Sequence, residues 1–218
     1  MSELNQLLLD FDVKKNFTNH DYYVSKSNFF AFNIIDKWPK WEKKILNICG
    51  EKFSGKTHLA NIFKLKSKAF FVNENDLNND LFTKIKLYET IIIDDFSNII
   101  DENLIYSIFN LVDQDNKFLL INSHVPLSKL NFKLPDLSSR SKNTLIAKID
   151  APDDDLIYAL ILKNFSDRQI KIEKKIIEFI IKRIDRSYSK ISEFIYKIDE
   201  LSLKKKKPIN LKTIKEIL

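Results

Sequence analysis

Short runs of Ile, Leu, Phe and Val recur along the first two thirds of the chain, each bounded by polar residues. Five stand out: KILNIC at 44–49, AFFVN at 69–73, TIIIDD at 90–95, KFLLIN at 117–122 and TLIAKID at 144–150. Unbroken apolar runs of this length predict strands covered on both faces. Between them the spacing changes. GKTHLANIFKLK (55–66) and DENLIYSIFNLVDQ (101–114) place apolar residues three and four apart, the helical period. Strands alternating with helices predict an α/β fold with a five-stranded parallel sheet.

After Pro152 only the helical period remains. DDDLIYALILKNF (153–165), IEKKIIEFIIKRI (172–184) and YSKISEFIYKIDELSL (188–203) each predict a helix, and NLKTIKEIL (210–218) a short last one. In the third, Ile191, Phe194, Ile195, Ile198 and Leu201 make one apolar stripe. The five prolines respect this division, since none falls inside a proposed element. The expected plan is an α/β domain over 13–151, a helical domain over 152–218 and a flexible peptide over 1–12.

Composition narrows the class. No apolar run approaches the ~18 residues of a membrane span. The opening MSELNQLLLDFDVKK has acids inside its apolar stretch and no basic n-region, so it does not read as a secretory signal. A single cysteine, Cys49, excludes an internal disulfide framework and fits a reducing cytoplasm. The net charge of +6 suits solvated lysine-rich helix faces or an acidic partner, nucleic acid included. The densest lysine run, Lys204–Lys207, reads as a linker ahead of Pro208.

Glycine changes the picture most. The chain has two, Gly50 and Gly55, and both lie in GEKFSGKT. This stretch fits G-x-x-x-x-G-K-[ST] and stands between a buried strand and a helix. A loop that wraps a phosphate must bring successive backbone N–H groups to its oxygens, and a Cβ at the tightest points prevents that. The following helix N-terminus adds positive potential. Gly50, Ser54 and Gly55, with His58 in the next turn, are expected around the phosphates. Lys56 is expected to reach the β and γ phosphates and Thr57 to bind Mg²⁺. In IIIDD, Asp94 would be the Mg²⁺ partner and Asp95 would orient a water. Asp95 is one methylene shorter than the glutamate that fast ATPases place there.

These motifs in this order resemble the AAA+ ATPases, more closely the DnaA-related group, and within it the Hda-type regulators. GEKFSGKTHLA resembles the group's Walker A with its following His-Leu. LNFKLPDLSSR (130–140) resembles its LPDLxSR box. RQIKIEKKIIEFIIKRIDRS (168–187) and PINLKTIKEIL (208–218) resemble lid helices. The resemblance runs from about residue 5 to 218. It implies ADP or ATP with Mg²⁺ as cofactors and an arginine finger at Arg140, supplied in trans. It implies a sensor 1 polar group at Asn122 or Ser123, and Tyr22, Tyr23 and Val24 in the segment that lines the adenine pocket. At the sensor 2 position Ser189 stands where an arginine is expected, with Arg186 a turn earlier.

NQLLLDF (5–11) resembles the peptide that docks on the bacterial DNA sliding clamp, with Gln6, Leu7, Leu9 and Phe11 as anchors. No helix-turn-helix is expected after the lid. The implied function is regulation of replication initiation. The clamp (the polymerase III beta subunit) recruits the chain, and Arg140 stimulates ATP hydrolysis by DnaA, with weak or no turnover of its own. The implied location is the bacterial cytoplasm, at the nucleoid through the clamp, with DNA met only indirectly and room for a homo-oligomer. The alternatives are a helicase-loader ATPase of the DnaC or IstB type and a non-catalytic DNA-binding module.

Overall fold

The computed structural model describes residues 21–72, 80–96, 101–168, 172–205 and 211–215. The clamp-type peptide with Gln6, Leu7, Leu9 and Phe11 lies outside the described residues. The elements are α1 (Phe29–Lys37), β1 (Ile45–Cys49), α2 (Lys56–Ser67), β2 (Phe70–Val72), α3 (Leu81–Lys86), β3 (Thr90–Phe96), α4 (Glu102–Gln114), β4 (Phe118–Ser123), α5 (Pro135–Lys142), β5 (Leu145–Lys148), α6 (Asp154–Asp167), α7 (Lys174–Ile181), α8 (Tyr188–Lys205) and α9 (Leu211–Lys215).

The five strands form one sheet in the order β2-β3-β4-β1-β5. Every pairing is parallel. Side chains alternate across a strand, so consecutive apolar residues serve opposite faces. Ile92 and Leu120 pack with α1 and α2 through Ile35, Leu59 and Phe63. Ile91, Ile93, Leu119 and Ile121 pack with α3 and α4 through Ile85, Ile105, Phe109 and Val112. That two-sided cover is why the strands read as unbroken runs.

The helical region has its own core. Ile157, Ile161 and Phe165 of α6 meet Ile177 and Ile180 of α7 and Ile191, Phe194, Ile195 and Ile198 of α8, with Ile214 of α9. Tyr188 and Leu156 belong instead to the cluster under the sheet. The two regions are therefore pinned where α6 and α8 begin.

The lysine run differs from expectation. α8 continues through Lys205, so the run begins inside a helix rather than in a linker. Three helices were not visible in the sequence pattern: α1, the two-turn α3 and α5. A single 3-10 turn, Leu127–Lys129, follows β4.

Candidate functional site: a phosphate loop at the carboxyl ends of the strands

β1 is buried at all five residues and delivers the chain to Gly50. There the Gly50 N–H donates to the Ser123 carbonyl at 3.2 Å, which ties the loop to the end of β4. A Cβ on Gly50 would lie 3.1 Å from the Ile149 carbonyl oxygen and 3.1 Å from Ser54 Oγ. Gly55 has φ +92, and a Cβ there would lie 3.1 Å from Tyr22 Cε2. A Cβ at either position would be tightly crowded, and Gly55 is favoured by its backbone conformation as well. Phe53 also has a positive φ, 67, and its ring is 58% exposed. A bulky residue there is a backbone outlier.

Lys56 opens α2 and is buried. Its ammonium donates to the carbonyls of Gly50 at 2.9 Å and Glu51 at 2.7 Å, so it spans the loop. Burial pushes Lys56 below the usual lysine value, and the carboxylates of Asp94 and Asp95 act against that shift. Thr57 is exposed beside it.

Asp94 and Asp95 end β3, where the register with β4 shifts between Ile93 and Phe96. Asp95 takes φ 52 in this irregularity. Such breaks re-aim side chains and recur next to active sites. Here the break leaves Asp94 half-buried and Asp95 exposed. Asn122 Nδ2 donates to Asp94 Oδ1 at 2.7 Å. Asn122 is fully buried, yet its Oδ1 has no hydrogen-bond partner among the described residues, and neither does Ser54 Oγ. Unsatisfied buried acceptors are uncommon and call for an explanation. Both belong to the elements that frame the loop.

Of the two sensor 1 candidates, Asn122 faces Asp94. Ser123 Oγ is otherwise engaged, accepting from Asn47 Nδ2 at 2.8 Å and donating to the Val125 carbonyl at 2.7 Å. Asn47 is a residue that sequence reasoning missed. Fully buried in β1, it also donates to the Ile121 carbonyl at 3.0 Å and accepts from the Leu127 N–H at 2.9 Å. It thereby fixes the turn after β4.

The remaining candidates fall into two groups. Tyr22 stacks on Phe32 with centroids 5.9 Å apart and meets His58 edge-on at 5.1 Å. Tyr23 is exposed and Val24 half-buried in the segment that follows Tyr22. Arg186 pairs with Asp154 at 2.8 Å, at the start of α6. The Ser189 N–H donates to the Glu51 carboxylate at 3.0 Å. Glu51, a variable position of the loop motif, was not singled out by the sequence.

Arg140 lies elsewhere. It is on α5 and pairs with Asp113 of α4 at 2.5 Å. It lines a cavity of about 280 Å³ together with Glu42, Lys43, Lys44 and Ile45, the residues that lead into β1. The phosphate loop follows the other end of that strand. Five residues at ~3.3 Å each therefore separate the two along the sheet. Its side chain keeps 36% of its surface exposed.

No family model matches the chain. The replication initiator DnaA of Borreliella afzelii is 26% identical over 213 residues, covering 85% of this chain and 44% of that protein. The chain thus spans less than half the length of that relative. An uncharacterized protein of Haemophilus influenzae is 25% identical over 214 residues, covering 88% of this chain and 91% of that one. The crystal structure of domain III of Thermotoga maritima DnaA superposes with a TM-score of 0.73 at 20% identity, covering 93% and 95% of the two chains. AMPPCP-bound DnaA of Aquifex aeolicus superposes with a TM-score of 0.68 at 17% identity, covering 85% and 65%. Sheet, helical region and loop motif agree with the relatives: the chain has the AAA+ fold of DnaA domain III and is similar to DnaA in sequence.

Proposed function

We propose that the chain is a nucleotide-binding regulator of replication initiation of the Hda type. It holds ADP or ATP with Mg²⁺ in its own loop, docks on the sliding clamp through Gln6, Leu7, Leu9 and Phe11, and presents Arg140 to ATP held by DnaA. The observation that carries this reading is the placement of Arg140. It lies at the amino ends of the strands, while the chain's own phosphate loop lies at their carboxyl ends. In one copy the guanidinium has no route to its own site, so it suits a neighbour's.

The residues present fit a nucleotide and a metal. Gly50 and Gly55 leave the close approach that a phosphate needs, and Ser54 Oγ and Asn122 Oδ1 are buried polar atoms without protein partners among the described residues. Thr57 and Asp94 would hold Mg²⁺, which commonly takes one or two protein oxygens and keeps phosphate and water for the rest. The metal would neutralise phosphate charge. Lys56 would exchange its two loop carbonyls for phosphate oxygens. Asn122 holds Asp94 in place, and Tyr23 and Val24 would meet the base. Asp95, exposed and short, suits a site that binds nucleotide better than it turns it over. Arg186 pairs with Asp154 in the ligand-free chain; both side chains are 58% exposed, so a phosphate can displace that pair and Arg186 stays the lid arginine available to the nucleotide.

The test is ATP turnover by DnaA in the presence of loaded clamp and DNA. An arginine finger supplied in trans is worth ~10³ or more in rate, so Arg140→Ala is expected to abolish the stimulation. Arg140→Lys should fail as well, because lysine lacks the planar fork. Equal stimulation by the wild type and Arg140→Ala would remove the assignment.

A further inference from the structure

α8 begins where a sensor 2 arginine would be expected to reach for the nucleotide, and this chain has serine there. The four orphan N–H groups of a helix start need partners. Here an intact set is provided. The Tyr188 and Ser189 N–H groups both donate to the Glu51 carboxylate, at 3.0 Å each. Ser187 Oγ donates to the same carboxylate and accepts from the Lys190 N–H at 3.3 Å. The Ile191 N–H then returns to the Ser187 carbonyl at 3.0 Å and starts the helix ladder. Glu51 thus caps a helix 137 residues away in sequence. Burial alone would raise its carboxyl, but the hydrogen bonds from Ser187, Ser189 and Tyr188 outweigh burial and hold it below the usual glutamate value.

The same residue is gripped at its other end. The Glu51 carbonyl accepts from Lys56 Nζ at 2.7 Å. One residue therefore joins the ammonium that senses phosphate to the helix that orients the lid.

We propose that Glu51 is a positioning residue that couples occupancy of the phosphate loop to the docking of α8. The proposal rests on the nucleotide-binding reading above. A phosphate that draws Lys56 away frees the Glu51 carbonyl and lets the loop shift, and the carboxylate carries that shift to α8. Coupling of this kind is reciprocal, so loosening α8 must also alter nucleotide affinity. A lid arginine would close the lid by touching the ligand. Glu51 holds the lid before any ligand arrives, because its charge is already spent on the helix start.

The test is amide hydrogen exchange at Tyr188 and Ser189 in the full chain, with and without ADP and Mg²⁺. Wild type, Glu51→Ala and Glu51→Gln are compared, and ADP binding is read separately from the fluorescence of a labelled ADP. Without ligand, losing a charged cap is expected to speed exchange about ten-fold in Glu51→Ala, with Glu51→Gln between because its amide oxygen still accepts. In the wild type ADP should change the rate about five-fold or more, and in Glu51→Ala that response should vanish. A merely structural cap would alter the ligand-free rate and leave the ADP response intact. Unchanged ligand-free exchange in Glu51→Ala would overturn the proposal. So would an ADP response equal in both proteins, or wild-type protein that binds ADP without any change at α8. Wild type that binds no ADP at all would instead sink the nucleotide reading, and the ligand-free comparison would still decide whether Glu51 holds α8.

Discussion

Two neighbouring loop positions set opposite demands. Gly55 has φ +92 with the Tyr22 ring 3.1 Å from where a Cβ would stand. Alanine there meets both a backbone penalty and a ring packed between Phe32 and His58. Gly55→Ala is expected to lower stability by ~1–3 kcal/mol in urea unfolding, with nucleotide binding lost as well. Phe53 has φ 67 with its ring largely in solvent, so its conformation is costly and little packing compensates. Phe53→Gly removes a left-handed penalty of ~1–2 kcal/mol and adds an entropic cost of ~0.5–1 kcal/mol, a balance of ~0–1.5 kcal/mol in favour of glycine. The urea midpoint should rise at constant m-value. A lower midpoint would mean that the ring contributes contacts that its exposure hides. A loop that wraps phosphate thus keeps one glycine where only glycine fits, and bears strain at Phe53 where glycine would fit better.

The starts of α6 and α8 join the helical region to the sheet through carboxylates. Asp153 caps α6 by accepting from the Leu156 N–H at 2.9 Å, and it also accepts from the Ser27 N–H at 3.2 Å. Burial would raise its carboxyl, but these hydrogen bonds hold it below the ordinary aspartate value. Glu51 behaves alike at α8. A folded value below the unfolded one gives stability that is full above about pH 4 and lost as pH falls through the depressed value. Urea midpoints at pH 5 and pH 3 should therefore fall further in the wild type than in Asp153→Asn with Glu51→Gln. Parallel declines would show that these two caps are not the acid-sensitive contacts. The same ends mark what the sequence could and could not disclose. Strands β1 to β5 were legible because helices cover both faces of the sheet and most of the central strand residues are apolar. The phosphate loop was legible because Gly50 and Gly55 answer local constraints. α5 was not, because PDLSSRSK has no apolar stripe, although Pro135 stands in its first turn as helix starts favour. Glu51 was not, because its partners are 136 to 138 residues away and nothing near it in sequence announces a helix cap. Asn47 escaped for the same reason, its Ser123 and Leu127 partners lying 76 and 80 residues off.

Under the proposed function the chain works as a tether and a finger on one body, and the two parts answer differently to concentration. The tether is the peptide Gln6–Phe11, and the finger is Arg140 on α5, which is anchored by the fully buried Leu137. Docking on the clamp creates no new contact between Arg140 and ATP. It raises the local concentration of Arg140 near clamp-bound partners, and linked binding of this kind gains ~10²–10⁴ in apparent affinity. Removing the tether should therefore be overcome by adding protein, while removing the finger should not. Stimulated ATP turnover by DnaA is expected to need ~10² more Gln6→Ala, Leu9→Ala double variant than wild type, and to reach a similar plateau. Arg140→Ala is expected to give no plateau at any concentration while still retained by the clamp. The Asp113–Arg140 pair adds a refinement. Both groups are partly exposed, so the pair is worth at most about 1 kcal/mol and a phosphate can displace it. Asp113→Asn should leave retention on the clamp unchanged and lower the concentration needed for half-stimulation by no more than about five-fold. If the tether variant never reaches the wild-type plateau, the peptide does more than hold the chain near its target, and separate roles for the two parts would have to be given up.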